Sequence, residues 1–443
     1  MFPLPDYALQ VISTLEEAGF EAFVVGGCVR DMLMGKSVND IDITTSATPE
    51  EMKEVFSHLR TVDTGIKHGT VTVIINHCPV EVTTYRIDKD YSDGRRPDAV
   101  AFTRNLREDL ARRDFTVNAI AYNPKTGLVD PFGGRDDIKN MILRCVGQPE
   151  KRFTEDSLRI LRGLRFSSVL GFTLEAETAK AAIKCRHLLK NVSAERIYTE
   201  LSKMLCGKNI KSVLLGFTEI FEEILPEIKG MKGFDQKNFH HIYDILTHTA
   251  VVVESIDPVP YLRFAALLHD CGKPECFTLD SDGVGHFYKH ARKSTDKAEE
   301  ALTRLKSDNF TKNRVMQLVK LHDTPIEPTE SVVKKKLGKY GEELFFDLIK
   351  LQRADNMGLS PEFRYRQETY TQLETLAQEI LQSKQCFSLS SLALNGRDMI
   401  ASGLKGKEIG NALNVLLNAV VENKAENTKD SLMEYYHTYV KSE

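Results

Sequence analysis

The chain has 443 residues, of which 42% are hydrophobic and 28% are charged, a balance typical of globular proteins and not of disordered chains. At about 150 residues per domain, this length favours roughly three domains over one compact barrel. The formal net charge of −4 argues against a protein that coats nucleic acid, although it leaves room for a local basic groove.

The cysteines and the apolar runs predict the cellular compartment of the protein. The eight cysteines show no Cys-x-x-Cys spacing, which favours free thiols in a reducing environment over disulfides. The first basic residue is Arg30, so we expect no charged leader segment. Apolar runs such as 264–268 are far shorter than the ~20 residues of a membrane span. We therefore expect a soluble, cytoplasmic protein with no membrane partner.

The first 150 residues mix the periodicities of helices and strands. Apolar spacing predicts, in chain order, a helix over 7–18, a strand over 22–25, a helix from about Val29, and two β-rich segments over 71–75 and 80–84 around a hairpin-like turn. This mixture predicts an α/β or α+β module. From Arg152 onward the pattern is almost continuously helical.

Two glycines separate the predicted strand 22–25 from the helix that follows. Gly26 and Gly27 let backbone N–H groups approach an anion, the helix N-terminus favours negative charge, and Arg30 adds a cation. A plain turn before a helix would give the same pattern, so this signal is weak by itself.

Three carboxylates predict a metal site. Asp40 and Asp42 are two residues apart, so on an extended strand their side chains share one face, and Glu81 lies on a second predicted strand that could lie beside the first. Neighbouring carboxylates repel one another unless a cation lies between them. Two Mg²⁺ ions about 4 Å apart in such a site support in-line nucleotidyl transfer. The alternative is a solvated strand edge.

Motifs spread over about 150 residues carry a family resemblance. They are GGCVRD (26–31), DID (40–42), EVTTYR (81–86), RRPD (95–98), LARRDFTVNAIA (110–121), DPFGG (130–134), VG (146–147) and RFTEDSLRILR (152–162). The set resembles the bacterial class II tRNA nucleotidyltransferases, the CCA-adding enzymes of the polymerase-β-like superfamily. The resemblance implies addition of CCA to the 3′ end of tRNA from CTP and ATP, with Mg²⁺ as cofactor.

The resemblance also implies a role for each matching residue. Asp40 and Asp42 would bind the metals with Glu81 in support, and residues 86–97 would form a mobile loop used in the change from C to A addition. The nucleotide would contact Gly26, Gly27, Arg30, Arg113, Asp156, Arg159, Arg162 and Arg165.

A helix after Thr154, taken as its N-cap, would present arginines at 159, 162 and 165. Cytosine and adenine both offer an amino donor next to a ring acceptor, which a carboxylate and a guanidinium can read. Asp156 and Arg159 could supply both, whereas guanine and uracil would meet Asp156 with a carbonyl. In the family, this motif acts as a protein template. The alternative is a capped helix with a solvated basic face.

A second chemical site is predicted in the helical part of the chain. The adjacent His269 and Asp270 resemble the HD phosphohydrolase superfamily, and the remaining pattern would be supplied by His248, His290, His322 and Asp355. Imidazoles with carboxylates suit Mn²⁺, Ni²⁺, Fe²⁺ or Mg²⁺ and would let a bound water attack a phosphate ester. Interior histidines of a helical bundle, without activity, are the alternative.

Near the C-terminus, Lys405 and Lys407 flank a predicted helix N-terminus, which can bind phosphate without reading sequence. The resemblance implies a tRNA-binding tail here; a lysine-bearing surface turn is the alternative.

The expected fold is an α+β polymerase-β-like nucleotidyltransferase domain followed by an all-α neck, an HD-type body and a tail. The expected domains are 1–150, 151–232, 233–375 and 376–443. Alternative functions are a CC-adding enzyme, a poly(A) polymerase, a hydrolase whose principal activity lies in the HD site, and an RNA-binding protein without catalysis. The oligomeric state is not predicted.

Overall fold

The computed structural model describes residues 2–38, 40–89 and 99–440. The chain divides into two compact units. The N-terminal unit comprises Met1–Pro226 with Arg304–Lys306, and the C-terminal unit comprises Glu227–Thr303 with Ser307–Glu443. The predicted α+β part followed by a helical part is confirmed. None of the helices among these residues combines the length and the apolar character that a membrane crossing requires.

The strands of the N-terminal unit are β1 (Ala22–Val25), β2 (Asp42–Thr45), β3 (Arg60–Gly65), β4 (Thr70–Ile75), β5 (Cys78–Thr84), β6 (Arg86–Lys89), β7 (Ala99–Phe102), β8 (Ala121–Asn123), β9 (Gly127–Val129), β10 (Ile142–Leu143) and β11 (Thr173–Leu174). The main sheet has the order β3-β4-β5-β2-β1-β8-β9. Strands β2 and β5 run parallel, whereas the other neighbours in this sheet are antiparallel.

The helices of this unit are α1 (Asp6–Glu17), α2 (Gly27–Leu33), α3 (Pro49–Val55), α4 (Leu106–Ala111), α5 (Gly134–Lys139), α6 (Pro149–Glu155), α7 (Leu158–Leu170), α8 (Ala176–Cys185), α9 (Ala194–Leu205), α10 (Ile210–Gly216) and α11 (Thr218–Ile224). An apolar core of the unit joins α1 and α3 to the sheet through residues such as Leu15, Met52, Val71 and Val82. Along β4 the side chains alternate between half-buried and buried, as expected of a strand with one covered face.

The predicted hairpin is confirmed, but its turn is shorter than expected. Asn76 and His77 alone form the turn, with φ of 50° and 65°, and Cys78 and Pro79 already belong to β5. Two residues with positive φ match the twist of the flanking strands, so the turn can be this tight.

The prediction that Thr154 caps the helix that carries Arg159, Arg162 and Arg165 is wrong. Pro149 starts α6, in which Thr154 is an interior residue, because proline is favourable in the first helical turn. The chain is extended at Asp156, and α7 begins at Leu158. The Leu158 N–H donates to Asp156 Oδ1 at 3.1 Å, so Asp156 caps α7 from outside the helix.

The C-terminal unit contains α12 (Ile245–Ser255), α13 (Pro260–Leu268), α14 (Lys273–Cys276), α15 (His290–Arg304), α16 (Asn309–Leu321), α17 (Glu330–Tyr340), α18 (Glu342–Met357), α19 (Arg366–Gln382), α20 (Gly396–Ala401), α21 (Lys407–Val421), α22 (Lys429–Tyr435) and the short strands β12 (Thr278–Leu279) and β13 (Gly285–His286). Helices α12, α13, α16 and α18 pack against one another. A separate small core after residue 385 includes Leu392, Met399, Leu416 and Tyr436.

Candidate functional site

The parallel pairing of β2 with β5 brings two of the predicted carboxylates together. Asp42 and Glu81 are register partners on adjacent strands, and Asp40 lies just before β2. Asp42 retains surface exposure, yet partial loss of water around its carboxylate and the charge of Glu81 raise its pKa, with a further contribution from Asp40 and an opposing one from Arg113. Carboxylate oxygens are the ligands that a hard divalent cation such as Mg²⁺ prefers, although among the described residues the ligand atoms of Asp40, Asp42 and Glu81 do not form a group within 4.8 Å of one another.

Gly26 and Arg113 are in close contact. Gly26 has φ of 85°, and a Cβ at this position would lie 3.1 Å from the Arg113 guanidinium. The positive φ favours glycine at this position, and an added Cβ would press on the end of the Arg113 side chain. Gly27, the first residue of α2, lies beside Arg30, with a Cβ position 3.5 Å from its guanidinium.

Arg30 is buried and is held by side chains of its own unit. Its guanidinium donates to Asn118 Oδ1 at 2.7 Å, forms a 2.9 Å ion pair with Asp31, and lies over the Phe166 ring. An anion at the Gly26–Gly27 turn would therefore meet a guanidinium whose position is already fixed.

Asp109 is a functional candidate that the motifs did not single out. It is fully buried, its carboxylate pairs with Arg112 at 2.8 Å and with Arg113 at 3.3 Å, and Thr44 Oγ1 lies 3.4 Å away. Burial would raise the pKa of Asp109, but the two arginines outweigh burial and lower it. Its spacing of three and four residues from the arginine pair that follows α4 was a usable signal.

An open pocket of about 340 Å³ lies beside Arg113. Most of its lining is basic: the residues are Arg86, Arg112, Arg113, Asp114, Asp156, Leu158, Arg159, Arg162 and Arg196. Asp114, Arg112 and Arg196 were missed as separate candidates, although the first two stand in the motif around Arg113. The pocket has the charge to hold a polyphosphate and a carboxylate, Asp156, that can accept hydrogen bonds.

The alternative of a solvated basic face on α7 is wrong, because the arginines of this helix are paired with acidic side chains. Arg159 is buried, forms a 3.1 Å ion pair with Glu155, and donates to the Arg112 carbonyl at 3.1 Å. The other pairs are Arg162 with Asp114 at 2.6 Å and Arg165 with Glu200 at 2.5 Å.

Asp156 and Arg165, which are predicted to contact the nucleotide, both have protein partners in this structure. Asp156 also pairs with Arg196 at 3.3 Å, so both of its oxygens have a partner. Arg165 lies over the Phe166 ring, 4.1 Å from its centroid, and does not line the pocket. A nucleotide contact from Arg165 would therefore need its side chain to move.

In the C-terminal unit the structure brings all six predicted metal ligands together. His248 lies on α12, His269 and Asp270 follow α13, His290 begins α15, His322 follows α16, and Asp355 lies on α18. The ligand atoms form two groups, each within 4.8 Å: His248, His269, Asp270 and Asp355, and then Asp270, His290 and His322. Of these residues, Asp355 alone is more than one-tenth exposed.

The carboxylates of this cluster strongly affect the protonation of its histidines. Burial would lower the pKa of His269, but Asp270 and Asp355, at 3.2 and 3.5 Å, outweigh it and raise the pKa to about 10. Gly358 packs against the Nδ1 side of His248, where any Cβ would collide with the ring.

A cavity of about 230 Å³ opens beside the cluster. Its lining includes Asp270, His290 and His322, together with the cationic Lys273 and Arg366. Lys273, which the motifs did not single out as a functional residue, lies 2.7 Å from Asp270 Oδ2.

The remaining predicted positions are in surface segments. Lys405 and Lys407 are exposed on either side of Gly406, the N-cap of α21, and the Lys405 N–H donates to Glu408. Of the predicted loop over 86–97, residues 90–97 lie outside the described residues, as does the RRPD motif.

Family models match three stretches of the chain: the Poly A polymerase head domain over residues 22–144, the "Probable RNA and SrmB- binding site of polymerase A" over 171–231, and tRNA nucleotidyltransferase domain 2 over 286–436. The CCA-adding enzyme of Lactobacillus helveticus (strain DPC 4571) is 35% identical over 438 residues, covering 98% of this chain and 97% of the relative. The CCA-adding enzyme of Bacillus pumilus (strain SAFR-032) is 33% identical over 437 residues, covering 97% and 96%.

Solved structures agree in fold over nearly the whole chain. The CCA-adding enzyme of Bacillus stearothermophilus in complex with CTP has a TM-score of 0.70 at 30% identity and covers 98% of both chains. The Thermotoga maritima CCA-adding enzyme complexed with tRNA has a TM-score of 0.60 at 20% identity and covers 98% of this chain and 96% of its own. At 20% identity, the similarity to the Thermotoga maritima enzyme supports the fold alone.

Proposed function

The chain belongs to the CCA-adding enzyme family, and from this premise we propose that it adds C, C and A, taken from CTP and ATP, to the 3′ end of tRNA. The similarity to the Bacillus stearothermophilus enzyme, which was solved with CTP, supports a nucleoside triphosphate as substrate. One structural observation supports the assignment of the site: Arg113 lines the basic pocket and also lies against Gly26 at the turn before α2, where its charge opposes the rise in the pKa of Asp42. A triphosphate bound by Arg113 would therefore lie near the acidic residues.

Asp40 and Asp42, supported by Glu81, would hold Mg²⁺. Bound there, the metal ions would favour ionisation of the tRNA 3′-hydroxyl and stabilise the negative charge of the departing pyrophosphate. The 3′-oxygen forms a bond to the α-phosphorus, the bond from that phosphorus to the bridging oxygen breaks, and pyrophosphate leaves. The protein would orient the triphosphate through the Gly26–Gly27 turn and Arg113, with Arg30 in support.

Base choice would come from Asp156 and Arg159. Arg159 is held from two sides, by Glu155 and by a backbone carbonyl, so its guanidinium is preorganised to donate to a ring nitrogen. The second oxygen of Asp156, which now pairs with Arg196, would accept from the amino group of cytosine or adenine. Guanine and uracil would place a carbonyl against this carboxylate and be rejected. Arg162 and Arg165 would add nucleotide contacts.

The acceptor RNA would bind partly through charge. The exposed Lys405 and Lys407 at the start of α21 would contact phosphates of tRNA without reading bases, so their contribution should fall as salt rises. This role and the four domain boundaries given above remain predictions.

The decisive experiment supplies a tRNA that ends at the discriminator base with labelled CTP and ATP, followed by sequencing of the product end. A CCA end is expected. Products that stop at CC, or that carry a long A tract, would instead identify a CC-adding enzyme or a poly(A) polymerase.

A matched pair of variants tests the acidic cluster. Asp42→Asn should lower incorporation by more than about 100-fold. Loss of a group that only supports a metal ligand already costs up to about 100-fold, and this variant changes a proposed ligand itself. Asp63→Asn changes an exposed aspartate on β3 that pairs with Lys53, and it should leave activity unchanged. Full activity of Asp42→Asn would contradict the proposed site.

A second candidate function is favoured by the ligand cluster of the C-terminal unit. Buried imidazoles and carboxylates within 4.8 Å of one another suit a divalent metal and hydrolysis of phosphate esters. In that reaction the oxygen of water bonds to phosphorus, and the ester oxygen leaves with a proton. The experiment measures the 2′- or 3′-AMP formed from 2′,3′-cyclic AMP, and the p-nitrophenol released from p-nitrophenyl phosphate, with Mn²⁺, Ni²⁺, Fe²⁺ or Mg²⁺.

The hydrolysis assay has an internal control. Asp270→Ala should abolish hydrolysis, whereas Asp42→Asn should retain it, since Asp42 belongs to the N-terminal unit. Absence of hydrolysis with every metal and both substrates would contradict this second function and leave nucleotide addition unaffected.

A further inference from the structure

We propose that the C-terminal unit carries a nucleobase-binding subsite, formed by the rings of His240, Phe363 and Tyr365, which line the cavity of about 230 Å³ described above. We call these three residues the aromatic rim. The phosphate of the same ligand would lie at Arg366, which also lines this cavity. This inference rests on the second candidate function and names the class of phosphate ester that the unit accepts, an ester that carries a purine or pyrimidine base.

The rings at this cavity contact one another. Between ring centroids, His240 lies 4.2 Å from Phe363, and the two planes are nearly perpendicular, at 78°. Phe239 extends this surface, at 4.1 Å from His240 and 5.6 Å from Phe363. The aromatic surface is therefore made of several rings from two separate segments of the chain, around residues 240 and 363.

Two of these aromatic side chains are too exposed to serve the core. Phe239 and Tyr365 are 68% and 66% exposed, whereas rings that stabilise the fold, such as those of Phe264 and Phe345, are fully buried. Exposed aromatic rings grouped beside a cavity are typical of ligand sites, because binding covers apolar surface that otherwise stays in water. Their exposure therefore favours a role in binding over a role in packing.

Hydrogen bonds to backbone carbonyls hold the aromatic rim in place. The Ser360 N–H donates to the His240 carbonyl at 3.0 Å, and Asn356 Nδ2 donates to the Phe363 carbonyl at 2.9 Å. Asn356 is buried on α18, the helix that also carries Asp355, so the rim is attached to an element of the ligand cluster. A surface that is already fixed loses little freedom when a ligand binds, which favours affinity.

The rest of the lining fits a base that is joined to a phosphate. Every base has a flat π face that stacks on aromatic rings, and this contact does not depend on which base is present. Arg366 follows Tyr365 in the chain and is exposed, and Lys273 adds a second cation to the lining. Burial and the charge of Arg366 lower the pKa of His240, so its ring is uncharged at pH 7.

A second cavity, of about 250 Å³, adjoins the first at Tyr365 and Arg366, which line both. Its lining also includes Pro325, Ile326 and Tyr370, which offer further apolar surface. The base on the rim can therefore belong to a free nucleotide or to the last residue of an RNA chain whose preceding nucleotide occupies the second cavity. The stacked base is common to both ligands.

The first experiment measures binding of a base without its phosphate to the full-length protein in the presence of a chelator. The probe is 1,N6-ethenoadenosine, whose fluorescence is quenched by stacking and which is uncharged, so its binding requires no metal. The chain has no tryptophan to interfere with the signal. The extra ring of the probe occupies the amino group and ring nitrogen that Asp156 and Arg159 would read. Quenching is expected, with displacement of the probe by adenosine and not by ribose.

Two variants assign the quenching to the rim. Tyr365→Ala, at an exposed position, should weaken binding of the probe by about 5- to 150-fold, the loss expected for one stacked ring. Phe363→Leu keeps an apolar side chain and should weaken it similarly. Phe310→Ala removes a ring of α16 that is 59% exposed and lines neither cavity, so it should leave binding unchanged. Equal binding by all three variants would refute the subsite.

Hydrolysis separates this inference from the function on which it rests. The KM for 2′,3′-cyclic AMP is compared with that for methyl riboside 2′,3′-cyclic phosphate, which lacks only the base. Tyr365→Ala should raise the ratio of the two KM values by about 5- to 150-fold, and Phe310→Ala should not change it. A ratio that Tyr365→Ala and Phe363→Leu leave unchanged would refute the subsite and keep the hydrolase. Rim-dependent probe binding without hydrolysis by any metal would refute the hydrolase and keep the subsite.

A dinucleotide that ends in a 2′,3′-cyclic phosphate distinguishes the two sources of the base. A lower KM for this dinucleotide than for 2′,3′-cyclic AMP would identify RNA ends as the ligand, and an equal or higher KM would identify free nucleotides. Either result supports the subsite when Tyr365→Ala raises the KM, and contradicts it when the variant has no effect.

Discussion

Replacing Asp156 tests base selection most directly, because the relevant quantity is a ratio. Asp156→Ala removes the carboxylate that would accept from the amino group of cytosine and reject the carbonyl of uracil. One such base contact is worth about 1–3 kcal/mol, and at 1.4 kcal/mol per tenfold the preference for CTP over UTP should fall by about 5- to 150-fold.

The structure also shows why a ratio is needed. Asp156 accepts from the Leu158 N–H, so its loss removes a helix cap worth about 0.5–2 kcal/mol as well as a base contact. Loss of the cap affects every nucleotide equally and cancels in the ratio of the two kcat/KM values. Asp156→Asn adds an amide donor that suits a carbonyl, so it should raise kcat/KM for UTP above that of Asp156→Ala.

The assay measures incorporation of one nucleotide into a tRNA that lacks its CCA end, with CTP or UTP alone. Glu150→Ala is the matched control, because Glu150 is an exposed carboxylate on the preceding helix that pairs with Lys184. If both Asp156 variants keep the CTP-to-UTP ratio of the unmodified protein, the protein template does not include this residue.

Three further predictions concern the surroundings of the pocket. Asp109→Asn should lower the free energy of unfolding by about 3 kcal/mol in urea titrations, because it leaves the Arg113 guanidinium without its buried partner. Gly26→Ala should raise KM for both nucleotides and destabilise the fold by about 1–3 kcal/mol, because it strains the backbone and displaces Arg113. Burial would raise the pKa of Asp114, but its arginine partner lowers it to about 2. Because the unfolded pKa is about 3.9, this stabilisation is present above pH 4 and is lost as pH falls toward 2, and Asp114→Asn should flatten acid unfolding over that interval.

Each of these predictions has a control or a contrary result. Asp63→Asn breaks an exposed ion pair and should lower the free energy of unfolding by less than about 1 kcal/mol. If Asp109→Asn lowers it by no more than this control, the buried ion pairs of Asp109 do not stabilise the fold. Gly35→Ala also has positive φ but no neighbour within 4 Å, so it should affect stability without changing KM. Unchanged acid unfolding in Asp114→Asn would assign the pH dependence to other carboxylates.

Local patterns in the sequence predicted a hairpin from segments 71–75 and 80–84, a helix over 7–18 and a strand over 22–25, and the structure confirms these elements with slightly different bounds. The motifs predicted the family, which is also confirmed. The break between α6 and α7 was not predictable from Thr154 alone, because Pro149 gave a competing start signal that the cap residue could not outweigh. Asp109 was missed since burial and partner geometry, rather than residue type, distinguish it from the neighbouring Glu108.

The metal cluster shows a different limit. His248 and Asp355 are 107 positions apart, and their helices meet through packing that periodicity does not encode. The family pattern predicted the ligands, but their division between two groups depends on side-chain orientation, which the sequence does not specify.

The parallel alignment of β2 and β5 has a consequence for how the protein tolerates change. Backbone hydrogen bonds hold neighbouring strands about 4.8 Å apart, so the spacing between Asp42 and Glu81 is largely independent of the apolar side chains beneath them. A slip of one residue, by contrast, would turn one of the two carboxylates toward the opposite side of the sheet. Core substitutions should therefore erode thermal resistance gradually, while insertions or deletions within either strand should end nucleotide addition at once.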